Sequence, residues 1–219
     1  MFCLKQPTDA AWAAEAVRQI DAVLVDHAHC EMKAASNALS LAARHPGDVA
    51  IVRGLTDLAR DEIDHFQRVL SMLDARGVAL GPPPVDTYAA ELRRVARESS
   101  SPTQTAPIVD RLLVGALIEA RSCERFKLLT EETARDGAHR EEHALWSELL
   151  AVEARHYRTL VDLATRAAGG ARAHVVSRLE RLAELEGAIV AALGRGAAGC
   201  SRATIHGLLA RAGPAFARP

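Results

Sequence analysis

The sequence predicts an all-α fold: a four-helix bundle with a long crossover between helices 2 and 3 and extra C-terminal helices. Three observations carry this expectation. Aromatic residues make up only 4% of the chain against 49% hydrophobic overall, with abundant Ala and Leu, a mixture that favours helices packed on helices. Apolar residues recur at helical rather than strand spacing through four long stretches. The breaks between those stretches run short, long, short, as two helical hairpins joined by a crossover require.

Thr8-Asp9 offers an N-cap for a first helix running to about Arg44, striped by Val17, Ile20, Leu24, Ala28, Glu31, Ala35, Ala38 and Ala42. His45-Pro46-Gly47-Asp48 breaks it, since Pro and Gly together mark a turn. A second helix follows to about Arg76 on the stripe Val52, Leu55, Leu58, Glu62, His65, Val69, Met72, and Gly77 suits the position just past its end. From Val78 to Ala106 the character changes. Gly81-Pro82-Pro83-Pro84 reads as a stiff loop, Thr87 to Arg97 as a short amphipathic helix, and Glu98-Ser99-Ser100-Ser101-Pro102 as loop again. That connector is long enough to cross the bundle. The third helix spans about Pro107 to Thr133 on Leu112, Ala116, Glu119, Cys123 and Phe126, and Arg135-Asp136-Gly137 turns the chain. The fourth runs to about Ala168 on Leu145, Leu149, Glu153, His156, Leu160 and Leu163, stopped by Gly169-Gly170. A fifth helix, about Ala173 to Leu193, and a short segment near Arg202 to Ala212 complete the chain. The expected organisation is one domain over 1–219, with a core bundle at about 8–168 and a helical extension at about 171–219.

Composition narrows the function classes. A formal net charge of −1 does not advertise a nucleic-acid binder. Cys3, Cys30, Cys123 and Cys200 are scattered without a Cys-x-x-Cys, so no zinc ribbon or rubredoxin-type site is encoded. They read as reduced thiols of a cytoplasmic protein. The N-terminal residues lack a signal-peptide apolar run, and no stretch reaches the length of a membrane span.

Two Glu-x-x-His motifs, Glu62 with His65 and Glu153 with His156, lie on the stripes of the second and fourth helices. Residues three apart share a helix face, so each pair can reach one metal ion. Glu31 and Glu119 occupy matching stripes on the first and third helices. Four glutamates and two histidines so placed are the pattern of a carboxylate-bridged dinuclear site in a ferritin-like bundle. A height check agrees. Glu31 and Glu62 are equally far from the Pro46-Gly47 turn. Glu119 and Glu153 differ by about one residue in distance from a turn centred near Arg135-Asp136, whereas Glu124, the rival on the third helix, would be offset by on the order of 9 Å. Four buried carboxylates need compensating charge, and two divalent cations would supply it. The hard, oxygen-rich set suits iron or manganese and argues against zinc. In the implied arrangement Glu62 and Glu153 bridge the metals, and Glu31, His65, Glu119 and His156 complete the two ends. The ligands alone do not separate an O₂-activating enzyme from an iron-oxidising or iron-handling protein, or from a relic site in an interaction module.

Other features have plainer readings. His139-Arg140-Glu141-Glu142-His143 fits the inverse zincin pattern H-x-x-E-H, but reads better as a solvated helix start. Cys30 and Cys123 each precede a glutamate and read as small core residues rather than a redox pair. His27 and His29 read as partly buried histidines beside the first ligand helix. Arg121, Arg125 and Arg155 are candidates either for pairing with ligand carboxylates or Glu124, or for surface salt bridges. Arg166, Arg172, Arg178, Arg181, Arg195, Arg202, Arg211 and Arg218 make the C-terminal part basic in places, interleaved by Glu180, Glu184 and Glu186. They fit a phosphate-gripping patch and a solvated helix face equally well.

The segments around the glutamates are more specific than the glutamates themselves. Asp26-His27-Ala28-His29-Cys30-Glu31-Met32-Lys33-Ala34-Ala35-Ser36, Leu113 to Phe126 through Glu119-Ala120-Arg121-Ser122-Cys123-Glu124, and Glu153-Ala154-Arg155-His156-Tyr157 resemble the tRNA hydroxylase family called MiaE. The likeness runs from about residue 3 to 170; Met32 departs from it where a basic residue is expected. The resemblance implies a non-haem di-iron monooxygenase that hydroxylates the isopentenyl group of 2-methylthio-N6-isopentenyladenosine in tRNA, next to the anticodon. It implies two Fe ions, O₂ as co-substrate and two electrons from a separate reductase. Metal ligands carry over onto Glu31, Glu62, His65, Glu119, Glu153 and His156.

Overall fold

The structure, a computed structural model, describes residues 2–9, 11–100, 105–194, 201–202 and 210–211. Among the described residues seven helices follow one another: α1 (Ala11–Arg18), α2 (Ile20–Ala43), α3 (Val49–Ala75), α4 (Thr87–Glu98), α5 (Pro107–Asp136), α6 (Arg140–Ala167) and α7 (Arg172–Gly194). Two hairpins, α2 with α3 and α5 with α6, form the bundle, and α4 lies in the crossover between them. The architecture is the ferritin-like one the sequence predicts.

Local chemistry sets most boundaries. Asp48 caps α3 by accepting from the Ala50 and Ile51 amides, and Asp86 caps α4 by accepting from Ala89. Pro107 opens α5, where its missing N–H is no loss. At the end of α3, Gly77 (φ 64°) donates to Asp74 O and Val78 to Leu73 O, a paired closure that satisfies two free carbonyls. Gly169 and Gly170 close α6 in the same way, onto Arg166 O and Thr165 O.

Three boundaries differ from the sequence reading. The expected first helix is broken at Gln19 (φ −112°, ψ 36°). Asp9 alone caps α1, through the Ala11 amide, because Thr8 is engaged elsewhere. The break lets α1 turn its own buried face, Trp12, Ala13 and Ala16, onto α5, where the Arg125 guanidinium lies 4.7 Å from the Trp12 ring centre. Second, α5 continues to Asp136 and stops only where Gly137 takes the left-handed conformation (φ 65°), so the turn falls at 137–139 rather than at Arg135-Asp136. Third, past α7, Ser201–Arg202 and Ala210–Arg211 pair as two-residue antiparallel strands, so the ends of the segment expected near Arg202 to Ala212 are extended. The remainder of that segment lies outside the described residues, as do Cys200 and the expected C-terminal arginines Arg195 and Arg218.

The core is aliphatic, built from Leu24, Leu41, Leu55, Leu73, Leu112, Leu117 and Leu145 with Trp146 and Phe126 at one level. Tyr88, Leu92 and Ala96 bury the inner face of α4. Helices approach closely where glycine leaves room: a Cβ on Gly54 would meet Leu163 at 3.1 Å, and one on Gly115 would meet Leu160 at 3.2 Å. No helix among the described residues is long and apolar enough to cross a membrane.

Candidate metal centre

Mid-height in the bundle, α2, α3, α5 and α6 each direct a glutamate inward: Glu31, Glu62, Glu119 and Glu153, all buried. Two overlapping groups form. In one, ligand atoms of Glu31, Glu62, His65 and Glu153 lie within 4.8 Å of one another; in the other, those of Glu62, Glu119, Glu153 and His156 do. All six residues singled out in the sequence are therefore brought together. Glu62 and Glu153 belong to both groups, and each group has a glutamate and a histidine of its own.

Each histidine turns one nitrogen, Nδ1, toward carboxylates of more than one helix. His65 Nδ1 lies 3.3 Å from Glu31 Oε2, 3.5 Å from Glu153 Oε1 and 3.9 Å from Glu62 Oε2. His156 Nδ1 lies 2.9 Å from Glu62 Oε1 and 3.2 Å from Glu153 Oε2. Glu62 Oε1 and Glu153 Oε1 are nevertheless buried without a well-formed hydrogen bond. One imidazole nitrogen cannot serve two or three carboxylates with a single N–H, so the groups converge as ligands around a cation would require.

Electrostatics says the same. Burial, then the Glu153 charge, pushes Glu31 up to about 8. Burial and neighbouring carboxylates hold Glu62 and Glu119 well above the usual range. Glu153 resists its own burial because bonds from His156 and Glu119 pull it down to about 2. His156 likewise overcomes burial, since Glu153 and Glu62 raise it to about 10. Four carboxylates in one low-dielectric pocket repel one another when ionised, so without a cation burial and mutual repulsion favour protonation. Two divalent ions would take the protons' place. The donor set fits them.

The sequence reading missed Asp61. Its Oδ2 lies 3.3 Å from His156 Nε2, so the ring presents Nδ1 to the cluster and is fixed from behind by a carboxylate, as metal-binding histidines are. Its only sequence signal is adjacency to Glu62. His27 is more than a bystander: buried between Phe126 and Trp146, its Nδ1 sits 3.0 Å from Glu31 Oε1. His29 faces the Leu80 carbonyl instead.

Glu124 is not in the cluster. It accepts from the Thr8 amide and hydroxyl and pairs with Arg121, on another side of α5. Arg121 is fully buried and also makes a two-point bridge to buried Glu186 of α7 at 2.9 Å for each bond, while Tyr88 of α4 donates to the same carboxylate. Arg155 is exposed beside Asp61. His139, Glu142 and His143 do not form a metal group among the described residues. Contrary to the expected solvated helix start, Glu142 is buried and paired with Arg76, because α6 begins against the end of α3. Cys3, Cys30 and Cys123 are free thiols. The C-terminal arginines Arg166, Arg172, Arg178 and Arg181 each face a carboxylate, which of the two readings open for them favours a salt-bridged helix face over a phosphate-gripping patch.

Two helical hairpins around overlapping buried groups of carboxylates and imidazoles define the class: a ferritin-like bundle with a metal centre. A solved structure described as protein 43 with aldehyde deformylating oxygenase activity from Synechococcus is similar over 95% of this chain and 98% of its own, with a TM-score of 0.80 and 36% identity. The family model for tRNA-(MS[2]IO[6]A)-hydroxylase (MiaE) matches residues 1–197, and the chain belongs to that family. Two curated relatives carry the description tRNA 2-(methylsulfanyl)-N(6)-isopentenyladenosine(37) hydroxylase. The Pseudomonas putida protein is 39% identical over 82% of this chain and 83% of its own length. The Salmonella typhimurium protein is 27% identical over 72% and 73% respectively.

Proposed function

We propose that this chain is a non-haem di-iron monooxygenase that hydroxylates the isopentenyl group of 2-methylthio-N6-isopentenyladenosine in tRNA, next to the anticodon. Glu31, Glu62, His65, Glu119, Glu153 and His156 would hold the two iron ions, with Glu62 and Glu153 common to both groups. When bound, the iron pair supplies reduction of O₂ at a substrate C–H bond. One oxygen atom enters that bond, and the other leaves as water with two electrons and two protons. The chain's own residues do the rest. Asp61 holds the His156 ring in place, and His27 offers a nitrogen to Glu31 Oε1, the oxygen other than the one beside His65. Leu41, Leu55, Leu58, Ile118 and Leu160, with the cluster's Glu31, Glu62, Glu119 and Glu153, line a cavity. Those apolar walls would orient a prenyl chain and exclude water from the reacting carbon.

The observation that carries this reading is the pair of overlapping four-residue groups opening onto an apolar cavity, in a member of this family. Iron oxidation alone needs no such cavity, which weighs against an iron-handling role. Cysteine spacing that could hold an iron–sulfur cluster is absent from the sequence, so a separate reductase delivers the electrons. We place the work in the cytoplasm, within one domain. The test is direct: reduced, iron-loaded protein is incubated with O₂ and isopentenylated tRNA, and the nucleosides are weighed by mass spectrometry. The modified adenosine gains one oxygen; no gain with two irons bound overturns the assignment.

A further inference from the structure

The cavity above the carboxylates does not end at the bundle wall. Its inner part holds about 70 Å³ and shares Asn37, Arg93, Arg111, Gly115 and Ile118 with an outer cavity of about 600 Å³ between α4 and α5. By the space a water needs, the inner chamber takes about five heavy atoms, enough for a prenyl chain and too few for a nucleobase. The outer one has room for a base. A third hollow, bounded by the loop at Leu80 to Pro84, again includes Asn37, Arg93 and Arg111. These three residues stand where all the openings meet.

The charge there is positive. Among the described residues, Arg44, Arg93, Arg97 and Arg111 face no carboxylate, whereas Arg94 on the same helix as Arg93 and Arg97 is bound by both Glu91 and Glu98. Arg111 reaches only Asn37 Oδ1, at 3.3 Å. Burial, then the charges of Arg44 and Arg93, hold Arg111 below the usual arginine range, which marks the group as close enough to repel. The acids of the cavity walls are already neutralised, Asp86 by Lys33 and Asp110 by Arg178. Unpaired guanidinium groups massed at the neck of an apolar channel lack an anion, and a polyphosphate backbone is the anion that would arrive with a base to insert.

We infer that Arg93, Arg97 and Arg111 form the phosphate-gripping site for RNA at the channel mouth, holding the backbone beside a nucleotide turned out of its stack. The base occupies the outer cavity and its prenyl chain threads past Gly115 and Ile118 to the carboxylate cluster. This rests on the hydroxylase reading above. It also explains how a chain of near-zero net charge takes an RNA substrate: the positive charge is local. Extrusion costs unstacking energy, which the backbone contacts and the fitted cavity offset.

The test uses iron-loaded protein and a fluorescent anticodon stem-loop RNA carrying the isopentenyl modification, titrated over a salt series. Arg93→Gln, Arg97→Gln and Arg111→Gln each weaken binding roughly 3- to 5-fold, as loss of one surface ion contact does. Each also reduces the salt slope by about 0.7 to 1. Arg135→Gln and Arg140→Gln, exposed on either side of the α5–α6 turn at the other end of α5 from Arg111, leave affinity and slope unchanged. Ile118→Phe keeps RNA affinity and iron content but lowers hydroxylation by roughly 100-fold, because the chain no longer reaches its position. Wild-type affinity and slope in all three mouth variants, or equal losses in the remote pair, would overturn the site while leaving the activity standing. So would mouth variants that bind RNA normally and lose turnover only when a reductase protein, not a chemical reductant, supplies electrons; the basic face would then dock that partner. Failure of iron-loaded wild type to hydroxylate would strike the hydroxylase reading instead, and the binding series would still judge the mouth.

Discussion

Replacing Arg121 with Met should cost the fold more than any exposed ion pair could. Arg121 is fully buried, and its guanidinium meets Glu186 through two bonds of 2.9 Å, the Gln6 carbonyl at 2.9 Å, Thr8 Oγ1 at 3.3 Å, and Glu124. Met fills a similar volume, so packing changes little. What remains is Glu186, fully buried and left with Tyr88 as its donor. Removing one partner of a buried pair costs about 3–5 kcal/mol. At about 2–4 °C per kcal/mol for a chain of this size, that is a fall of roughly 6–20 °C in Tm. Urea unfolding followed by far-UV circular dichroism measures it. If the loss arises from uncompensated charge, Arg121→Met combined with Glu186→Leu recovers at least half of it. Iron content should stay at the wild-type level, since neither residue faces the cluster. A loss under about 1 kcal/mol, the range of surface pairs, or a double variant as unstable as the single one would refute the reasoning.

The other expectations concern the cluster. Glu119→Ala loses metal on dialysis, whereas Glu124→Ala keeps it and gives up about 1–3 kcal/mol for the donors left unpaired; equal metal retention in the two would reverse their roles. Glu62→Ala or Glu153→Ala abolishes hydroxylation in the nucleoside assay. Asp61→Asn lowers metal affinity or turnover by about 10- to 100-fold, as loss of a carboxylate behind a ligand histidine does, with the fold's Tm nearly unchanged. The metal-free protein should become less stable as pH rises from 5 to 8. Glu31, Glu62 and Glu119 have folded values above 4.5, so in that window the folded chain binds more protons than the unfolded one. Each group then contributes a slope of roughly −1 kcal/mol per pH unit. His156, raised to about 10, adds to the same trend above its unfolded value. Adding ferrous iron under anaerobic conditions removes the decline, because the metal displaces those protons. A flat profile without metal would contradict it.

How the sequence led to Glu119 is instructive, because one of the two arguments for it does not survive the structure. With the α5–α6 turn at 137–139, Glu119 and Glu153 are not level by residue count; Glu124 is the closer match. Phase decides instead. Glu124 is rotated about 140° from Glu119 around α5, out of line with Leu112 and Ala116, and it meets Arg121 and Thr8. For α2 and α3 both arguments hold, since their turn lies where Pro46-Gly47 puts it. Helical periodicity thus carries the ligand set, and turn placement only refines it. Asp61 and the arginines at the channel mouth had no such signal: Asp61 lies on α3 and reaches His156 of α6, while Arg93, Arg97 and Arg111 converge from α4 and α5 through a crossover whose path no local pattern encodes.

The deeper ambiguity is that a glutamate on an apolar stripe has two possible destinies. Glu142 and Glu186 are buried against arginines, Arg76 and Arg121, that lie tens of residues away. Glu31, Glu62, Glu119 and Glu153 are also buried, yet among the described residues no lysine or arginine pairs with any of them; histidines face Glu31, Glu62 and Glu153. This chain evidently can supply guanidinium groups to buried acids where it needs permanent neutrality. Withholding them from the centre leaves four carboxylates neutralised by protons and one imidazolium, both exchangeable. An arginine there would strengthen the metal-free bundle and fill the charge deficit that, on the proposed reading, would draw two cations in. A substitution such as Leu58→Arg, from the cavity wall beside Glu62, should therefore abolish iron uptake without lowering the stability of the metal-free protein in proportion. If iron still loads in full, charge deficit is not what recruits it.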